Sequence, residues 1–298
     1  SSALNSPGQF YGEIAQILGI HCLMAGKVTG LASFGNYRKH YSRMIPLFSL
    51  SQNKKDFCLP LLKDKYKTSL LYKDFLKFKP ADIAADAQRR LEDVIVAYVE
   101  NGLRMTGHRN LLLAGGVFGN VSLNKKLEEI DGVEQIYIHP AMSDMGISLG
   151  AALAFSSKAV YLKPFKYENI FFGPGFGNDY IEEVLFKNKL QYNFFEKGIE
   201  REIARLLSKG KVVARFAGKM EYGPRALGNR SILYQTTDPS INSWLNNKLK
   251  RTEYMPFAPA TLSGFEKECY KNIEGSEYTA QFMTITFDCT DYMKKISP

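Results

Sequence analysis

Between Gly218 and Arg230 the chain places Lys219, Arg225 and Arg230 among Gly218, Gly223, Pro224 and Gly228. A guanidinium can grip a pair of phosphate or carboxylate oxygens, and an ammonium adds a point charge. Glycine lets the backbone approach a ligand closely, and proline sets one bend. The stretch therefore has the chemistry of a polyanion pocket, although a basic surface turn has the same composition. A second constellation is Gly115-Gly116, which follows the apolar run Asn110–Ala114 and precedes the helical pattern Val117–Leu127, with Asn120 inside it. Strand, glycine pair and helix N-terminus together aim backbone N–H groups at an anion. A third is Asp144 beside Gly146, after the strand-like Gln135–His139. Its carboxylate is expected either to point into the crevice at the strand ends or to cap the next helix.

The elements that must position these residues follow from periodicity. Gln9–Gly19 reads as an amphipathic helix stopped by glycine, and Ala81–Leu103 as a longer one ending near Asn101-Gly102. Ala25–Asn36, which carries Lys27, is glycine-punctuated and reads as a turn, and Tyr37–Pro80 reads as a strand-and-loop excursion. Asn110–Ala114 lacks alternation, as expected of a strand buried on both faces. A small-residue helix is expected over Ala151–Phe155 and a linker over Ser157–Tyr167. Phe172–Asp179 is a glycine-rich turn, Asp179–Leu185 and Ile199–Leu207 read as helices, and Lys211–Phe216 and Phe282–Asp288 read as strands.

With 298 residues, 45% hydrophobic and 23% charged, the chain has the composition of a soluble globular protein long enough for two cores. A net charge of +9 favours anionic partners without choosing among nucleotides, acidic metabolites and RNA. Cys22, Cys58, Cys269 and Cys289 form no CxxC pair, so neither a zinc knuckle nor a disulfide framework is indicated, and a reducing cytoplasmic compartment is expected. No apolar run reaches the length of a membrane span, and Ser1–Gln9 lacks the pattern of a signal peptide.

The whole string Phe216–Leu233, FAGKMEYGPRALGNRSIL, resembles the EFGPRALGNRSIL signature of O-carbamoyltransferases of the nodulation-protein and tobramycin-carbamoylation type. The resemblance extends from Pro7 to Pro298. AGKVTGLASFGN is similar to the family's GEYKVMGLAPYG, LLLAGGVFGNVSLNKKL to its LAGGVALNVxxNxKL, PAMSDMGISLG to its PAxxDxGxxLGAAL, and RTEYMPFAP to its RTEFMPFAP variant. The glycine-pair string also resembles the nucleotide loop of sugar kinases, actin-like ATPases and tRNA threonylcarbamoyl-transfer proteins.

This resemblance implies an α/β fold. An ASKHA-type lobe (RNase H-like, as in actin-like ATPases) would span residues 1–160, and part of a YrdC-like α/β domain residues 161–298. It implies an ATP-dependent enzyme that makes carbamoyl-adenylate from carbamoyl phosphate and passes the carbamoyl group to a hydroxyl of a small acceptor. Lys219, Arg225 and Arg230 would take the catalytic roles. Lys27, Gly115, Gly116, Asn120, Asn229, Ser231 and Arg251 would contact the nucleotide, with Mg²⁺ accompanying it. Asp144 would bind a divalent metal such as iron, but the family's HxxxH partners are missing from this sequence, and the chain is expected to be a fragment. A homodimer is an expected assembly; nucleic acid is not an expected partner. Two alternatives remain: a relative of the tRNA threonylcarbamoyl enzymes, and a nucleotide-binding remnant without turnover.

Overall fold

The computed structural model describes residues 5–60, 70, 72–250 and 257–298. The first helix, α1 (Pro7–Ile17), starts where Ser6 Oγ accepts the Gln9 N–H at 3.1 Å and Pro7 supplies a preset φ. It buries Phe10, Ile14 and Ile17. The AGKVTGLASFGN stretch, expected as a turn, instead contains a short helix, α2 (Lys27–Ala32). Its exit at Gly35 is so close to the next helix that a Cβ there would lie 1.9 Å from the Ala81 carbonyl oxygen. That neighbour is α3 (Pro80–Thr106), begun by Pro80 and closed by Gly107 at φ 68°. The Tyr37–Pro80 excursion contains a two-residue antiparallel pair, β1 (Ser49–Leu50) with β2 (Phe57–Cys58).

Helices α1, α2 and α3 share one core with the unit that follows. Strand β3 (Asn110–Leu113) leads through a turn into α4 (Val121–Glu128) and back to β4 (Gln135–Ile138), parallel to β3 with Asn110 opposite Gln135 and Leu113 opposite Ile138. Phe10, Ile14, Phe48, Leu91, Leu123, Leu127 and Ile138 are wholly buried in this core. Each such side chain contributes about 1.5–3 kcal/mol by leaving water. The expectation that β3 is buried on both faces is corrected: Leu113 points inward, whereas Leu112 is 81% exposed, because among the described residues β3 and β4 form a two-stranded sheet with one face left uncovered at Leu112. Helix α5 (Ile147–Ala159) follows β4, is longer than the small-residue pattern suggested, and buries none of its side chains.

Beyond it lie α6 (Asn178–Lys187), α7 (Ile199–Ser208), the antiparallel pair β5 (Val213–Phe216) and β6 (Arg230–Leu233), and α8 (Ile241–Lys248). Short helices α9 (Glu266–Cys269), α10 (Glu277–Ala280) and α11 (Asp291–Ile296) end the chain. The strand expected over Phe282–Asp288 does not form. Thr284 Oγ donates to the Thr279 carbonyl at 3.0 Å and Met283 adopts φ 53°, so local bonds replace a ladder; just beyond the segment Cys289 makes an isolated bridge with Tyr270. This irregular segment returns to the first core. Ile285 is buried there, the Ile138 N–H donates to Thr279 Oγ at 2.9 Å, and Asn124 Nδ2 donates to the Thr284 carbonyl at 2.7 Å. Contacts therefore cross the division expected at residue 160. Among the described residues no helix is long and apolar enough to cross a membrane.

Candidate functional site

The signature stretch is the connection between β5 and β6, closed where Phe216 pairs with Arg230. Its centre is Glu221, only 6% exposed. One carboxylate oxygen, Oε1, accepts the N–H groups of Leu227 at 2.9 Å, Asn229 at 2.7 Å and Arg230 at 3.0 Å. Burial pushes this carboxyl's pKa up, but the backbone donors outweigh it and hold the group below the usual glutamate range. The remaining N–H of that run, from Gly228, is turned elsewhere by a φ of 113° and donates to Ser231 Oγ at 2.9 Å. Arg230 gathers the loop's carbonyls in the same way. Its Nη1 donates to the carbonyls of Ala217 and Asn229, its Nη2 to those of Pro174 and Gly218, and the guanidinium lies 3.6 Å from the centre of the Phe216 ring. Asn229 Nδ2 donates to the Lys219 carbonyl at 2.8 Å. The loop's own side chains thus take up much of its backbone polarity. Arg230, Asn229 and Ser231 all lie within this internal set.

The loop sits on the carboxyl ends of β3 and β4. Gly223, at φ 107°, approaches so closely that a Cβ would stand 2.7 Å from the Pro140 carbonyl oxygen. Tyr222 Oη is 3.2 Å from His139 Nε2, and burial lowers that histidine's pKa. Arg225 reaches furthest, with Nη2 donating to the Gly119 carbonyl at 3.0 Å. Its Nε is buried and has no hydrogen-bond partner, and among the described residues it pairs with no carboxylate. Burial lowers its pKa from the ordinary arginine value. A desolvated guanidinium without a counter-ion is an unfavourable arrangement unless an anion completes it. Lys219 is exposed on the same loop, and its stem crosses Gly175, where a Cβ would meet Lys219 Cγ at 3.1 Å.

Across from Arg225 lies the glycine pair. Gly115, at φ 122°, donates its N–H to the Met142 carbonyl at 2.6 Å, while a Cβ at Gly116 would meet nothing within 4 Å. The structure thus brings the glycine-pair turn and the signature loop into contact. Asn120 is buried as the N-cap of α4: Oδ1 accepts from Leu123 N–H and Gln88 Nε2, and Nδ2 donates to Gln88 Oε1 at 2.8 Å. Gln88 Oε1 also accepts from the Tyr11 hydroxyl, which lies 3.0 Å from Thr29 Oγ. This buried chain links the turn to α2, whose first residue is the half-buried Lys27. Asp144 is exposed at the start of the turn into α5, where Ser143 rather than Asp144 caps. No group of three or more His, Cys, Asp or Glu suited to a metal occurs among the described residues. Arg251 lies outside the described residues.

Sequence reasoning left Glu221, Tyr222, His139 and Gln88 without roles. Glu221 is the one acid inside the glycine–arginine loop, and that position was its signal.

Comparison with known proteins decides the family. The family description "Carbamoyltransferase N-terminus" matches residues 20–153, and "Carbamoyltransferase C-terminus" matches residues 204–298, so the two halves of the site each fall inside a match. The chain belongs to the carbamoyltransferase family. It is 32% identical to the uncharacterized protein MJ1058 of Methanocaldococcus jannaschii, over 95% of this chain and 48% of that protein. It is also 30% identical to MJ1051 of the same organism, over 96% of this chain and 56% of that protein. Nodulation protein NolO of Bradyrhizobium diazoefficiens is 30% identical, over 91% of this chain and 51% of its own length. The chain spans about half the length of these relatives.

Proposed function

We propose that the chain supplies the anion-binding surface of an ATP-dependent O-carbamoyltransferase, which forms carbamoyl-adenylate from ATP and carbamoyl phosphate and transfers the carbamoyl group to a hydroxyl of a small acceptor. The observation that carries this reading is Arg225: half-buried, without a carboxylate partner among the described residues, its Nε buried and unbonded, and facing the turn that begins at Gly115. A phosphate or carbamoyl phosphate oxygen beside this guanidinium supplies the counter-charge that no carboxylate gives it, next to the turn where a Cβ at Gly116 would meet nothing within 4 Å. Lys219 adds charge from the open side. In the transfer step the acceptor oxygen bonds to the carbamoyl carbon, the bond from that carbon to the adenylate oxygen breaks with AMP leaving, and the hydroxyl proton passes to solvent. Arg225 and Lys219 steady the negative charge that collects on the leaving phosphate.

Family membership supports the finer fold reading, an ASKHA-type lobe with a YrdC-like partner, and the parallel β3–α4–β4 unit is compatible with the first of these. Nucleotide-bound Mg²⁺ belongs to the same reading. Asp144 fits as one oxygen donor to a divalent ion, but one carboxylate does not make a site, and the roles assigned to Arg225 and Lys219 do not depend on it. Calorimetry with carbamoyl phosphate and with ATP tests the proposal. Saturable binding that Arg225→Ala weakens is expected, and a folded chain that binds neither ligand would overturn it. Mass spectrometry of hydroxylated metabolites incubated with the chain, ATP and carbamoyl phosphate then looks for the carbamoylated product.

A further inference from the structure

We propose that Glu221 is the loop's built-in anion: its carboxylate occupies the backbone amide nest of the signature loop, so a substrate anion is read by Arg225, and Glu221 is the positioning residue that places Arg225. This rests on the proposed function for the identity of the ligand.

Three N–H groups within 2.7–3.0 Å of one oxygen are the donor set with which a backbone nest holds a phosphate oxygen. Here the position is filled from within. Glu221 has no cation partner among the described ion pairs and is 6% exposed, so the amides are its principal stabilisation and water does not replace them. The bond from Leu227 N–H to Glu221 Oε1 also closes the chain from 221 to 227 into a ring. Inside that ring lie the two docking residues, Gly223 against Pro140 and Arg225 against Gly119. Without the carboxylate, three part-buried donors lose their acceptor and the ring has no clasp, so Arg225 loses its fixed distance from the glycine-pair turn.

The test is chemical rescue. Glu221→Ala should weaken carbamoyl phosphate binding by about tenfold to a hundredfold, and sodium formate should restore much of the loss by occupying the vacated nest, with sodium chloride of equal ionic strength as control. Formate should not rescue Arg225→Ala. In ¹⁵N-labelled Glu221→Ala, formate should shift the Leu227, Asn229 and Arg230 amide resonances saturably, and it should leave them unmoved in the wild type. Glu221→Gln, which retains an acceptor oxygen, should lose less affinity and ignore formate; it carries the test if the alanine variant does not fold. Equal affinity in folded Glu221→Ala, or a loss that formate does not touch, would overturn the proposal. So would carbamoyl phosphate shifting those same three amides in the wild type, since the ligand would then be entering the nest itself. A wild type that binds no carbamoyl phosphate defeats the functional reading, while the formate response of the amides still decides the role of Glu221.

Discussion

Two glycine-rich turns face each other in this molecule, and they handle backbone polarity in opposite ways. The turn from Gly115 to Asn120 is anchored by Gly115 N–H on Met142, by Asn120 as helix cap and by the one-turn bonds Phe118 N–H to Gly115 and Asn120 N–H to Val117, with open space around Gly116 and, among the described residues, no side chain gathering its amides as Glu221 does in the loop. The signature loop is closed on itself, its amides gathered by Glu221 and Ser231 and several of its carbonyls by Arg230. Composition alone made both look like anion cradles. The difference teaches that a glycine–arginine string can spend most of its donors on its own shape. What remains for a ligand is the group left unmatched, here the Arg225 guanidinium.

The contrast breaks most severely at the contact between the two regions. Gly223→Val puts a branched side chain where a Cβ would already stand 2.7 Å from the Pro140 carbonyl, at a φ of 107° that valine rarely adopts. A loss of about 3 kcal/mol or more is expected for this combination of overlap and strain. Thermal or urea unfolding checks it. A variant as stable as the wild type would show that the loop does not dock where Pro140 lies.

Next in size is Arg225→Ala. Removing a guanidinium that makes a charged hydrogen bond to a ligand should lower carbamoyl phosphate affinity by about 1.5–3 kcal/mol. Because the same group is partly desolvated and has no carboxylate partner among the described residues, relief of that cost should offset the lost bond to the Gly119 carbonyl, and stability should hold or rise. Affinity and melting temperature moving in opposite directions is the signature to look for. Parallel losses would make Arg225 a structural residue like Arg230.

Much of the scaffold was legible in the sequence, for reasons particular residues make plain. The spacing of Ile83, Ala87, Leu91 and Val94 announces one buried helical face, and that face forms the core. Asn110–Leu113 and Gln135–Ile138 read as strands by their apolar runs, but an apolar run says nothing about how many neighbours the sheet will have, so the exposure of Leu112 was not foreseen. The 282–288 stretch has strand composition, but the Thr284 side chain bonds the backbone five residues back, while the Thr279 side chain ties the neighbouring turn to the backbone of Ile138 in β4. At the site, the cations were legible as charges and their division of labour was not. Arg225 and Arg230 have the same chemistry in a string of letters. Only the placement of Pro174, Gly218 and Phe216 around one, and of the single Gly119 carbonyl beside the other, separates the clamp from the candidate ligand contact.

The open turn supplies a smaller, sharper test. Because a Cβ at Gly116 meets nothing within 4 Å, Gly116→Val should leave the melting temperature close to that of the wild type. If a phosphate approaches the backbone there, its isopropyl group should still cost about tenfold in nucleotide affinity, roughly 1.4 kcal/mol. Retained affinity in the folded variant would make the glycine pair a bend and nothing more.

The smallest effect distinguishes the signature loop from helix α3 of the first core by pH, through one buried carboxylate in each. Asp86, on α3, is fully buried; its Oδ2 accepts the His40 N–H at 2.9 Å and its Oδ1 has no partner. Burial, reinforced by the charge of Asp82 four residues before it, pushes its pKa up to about 6. The folded state therefore binds this proton more tightly than the unfolded chain does, so the contribution is favourable at low pH and is lost as pH rises from the ordinary aspartate range through about 6. Glu221 has the opposite sign: its folded pKa lies below the ordinary glutamate value, so its contribution is present at neutral pH and is lost as pH falls through the folded value. Melting temperatures across a series from pH 4 to pH 8 should show Asp86→Asn gaining on the wild type as pH rises. Glu221→Gln should trail the wild type at neutral pH by a gap that narrows on acidification. The two trends run against each other because one carboxylate keeps a bare oxygen and the other receives three backbone donors. If both variants changed with the same sign, the satisfaction of Glu221 by the loop's amides would not be what distinguishes the self-filled turn from the rest of the molecule.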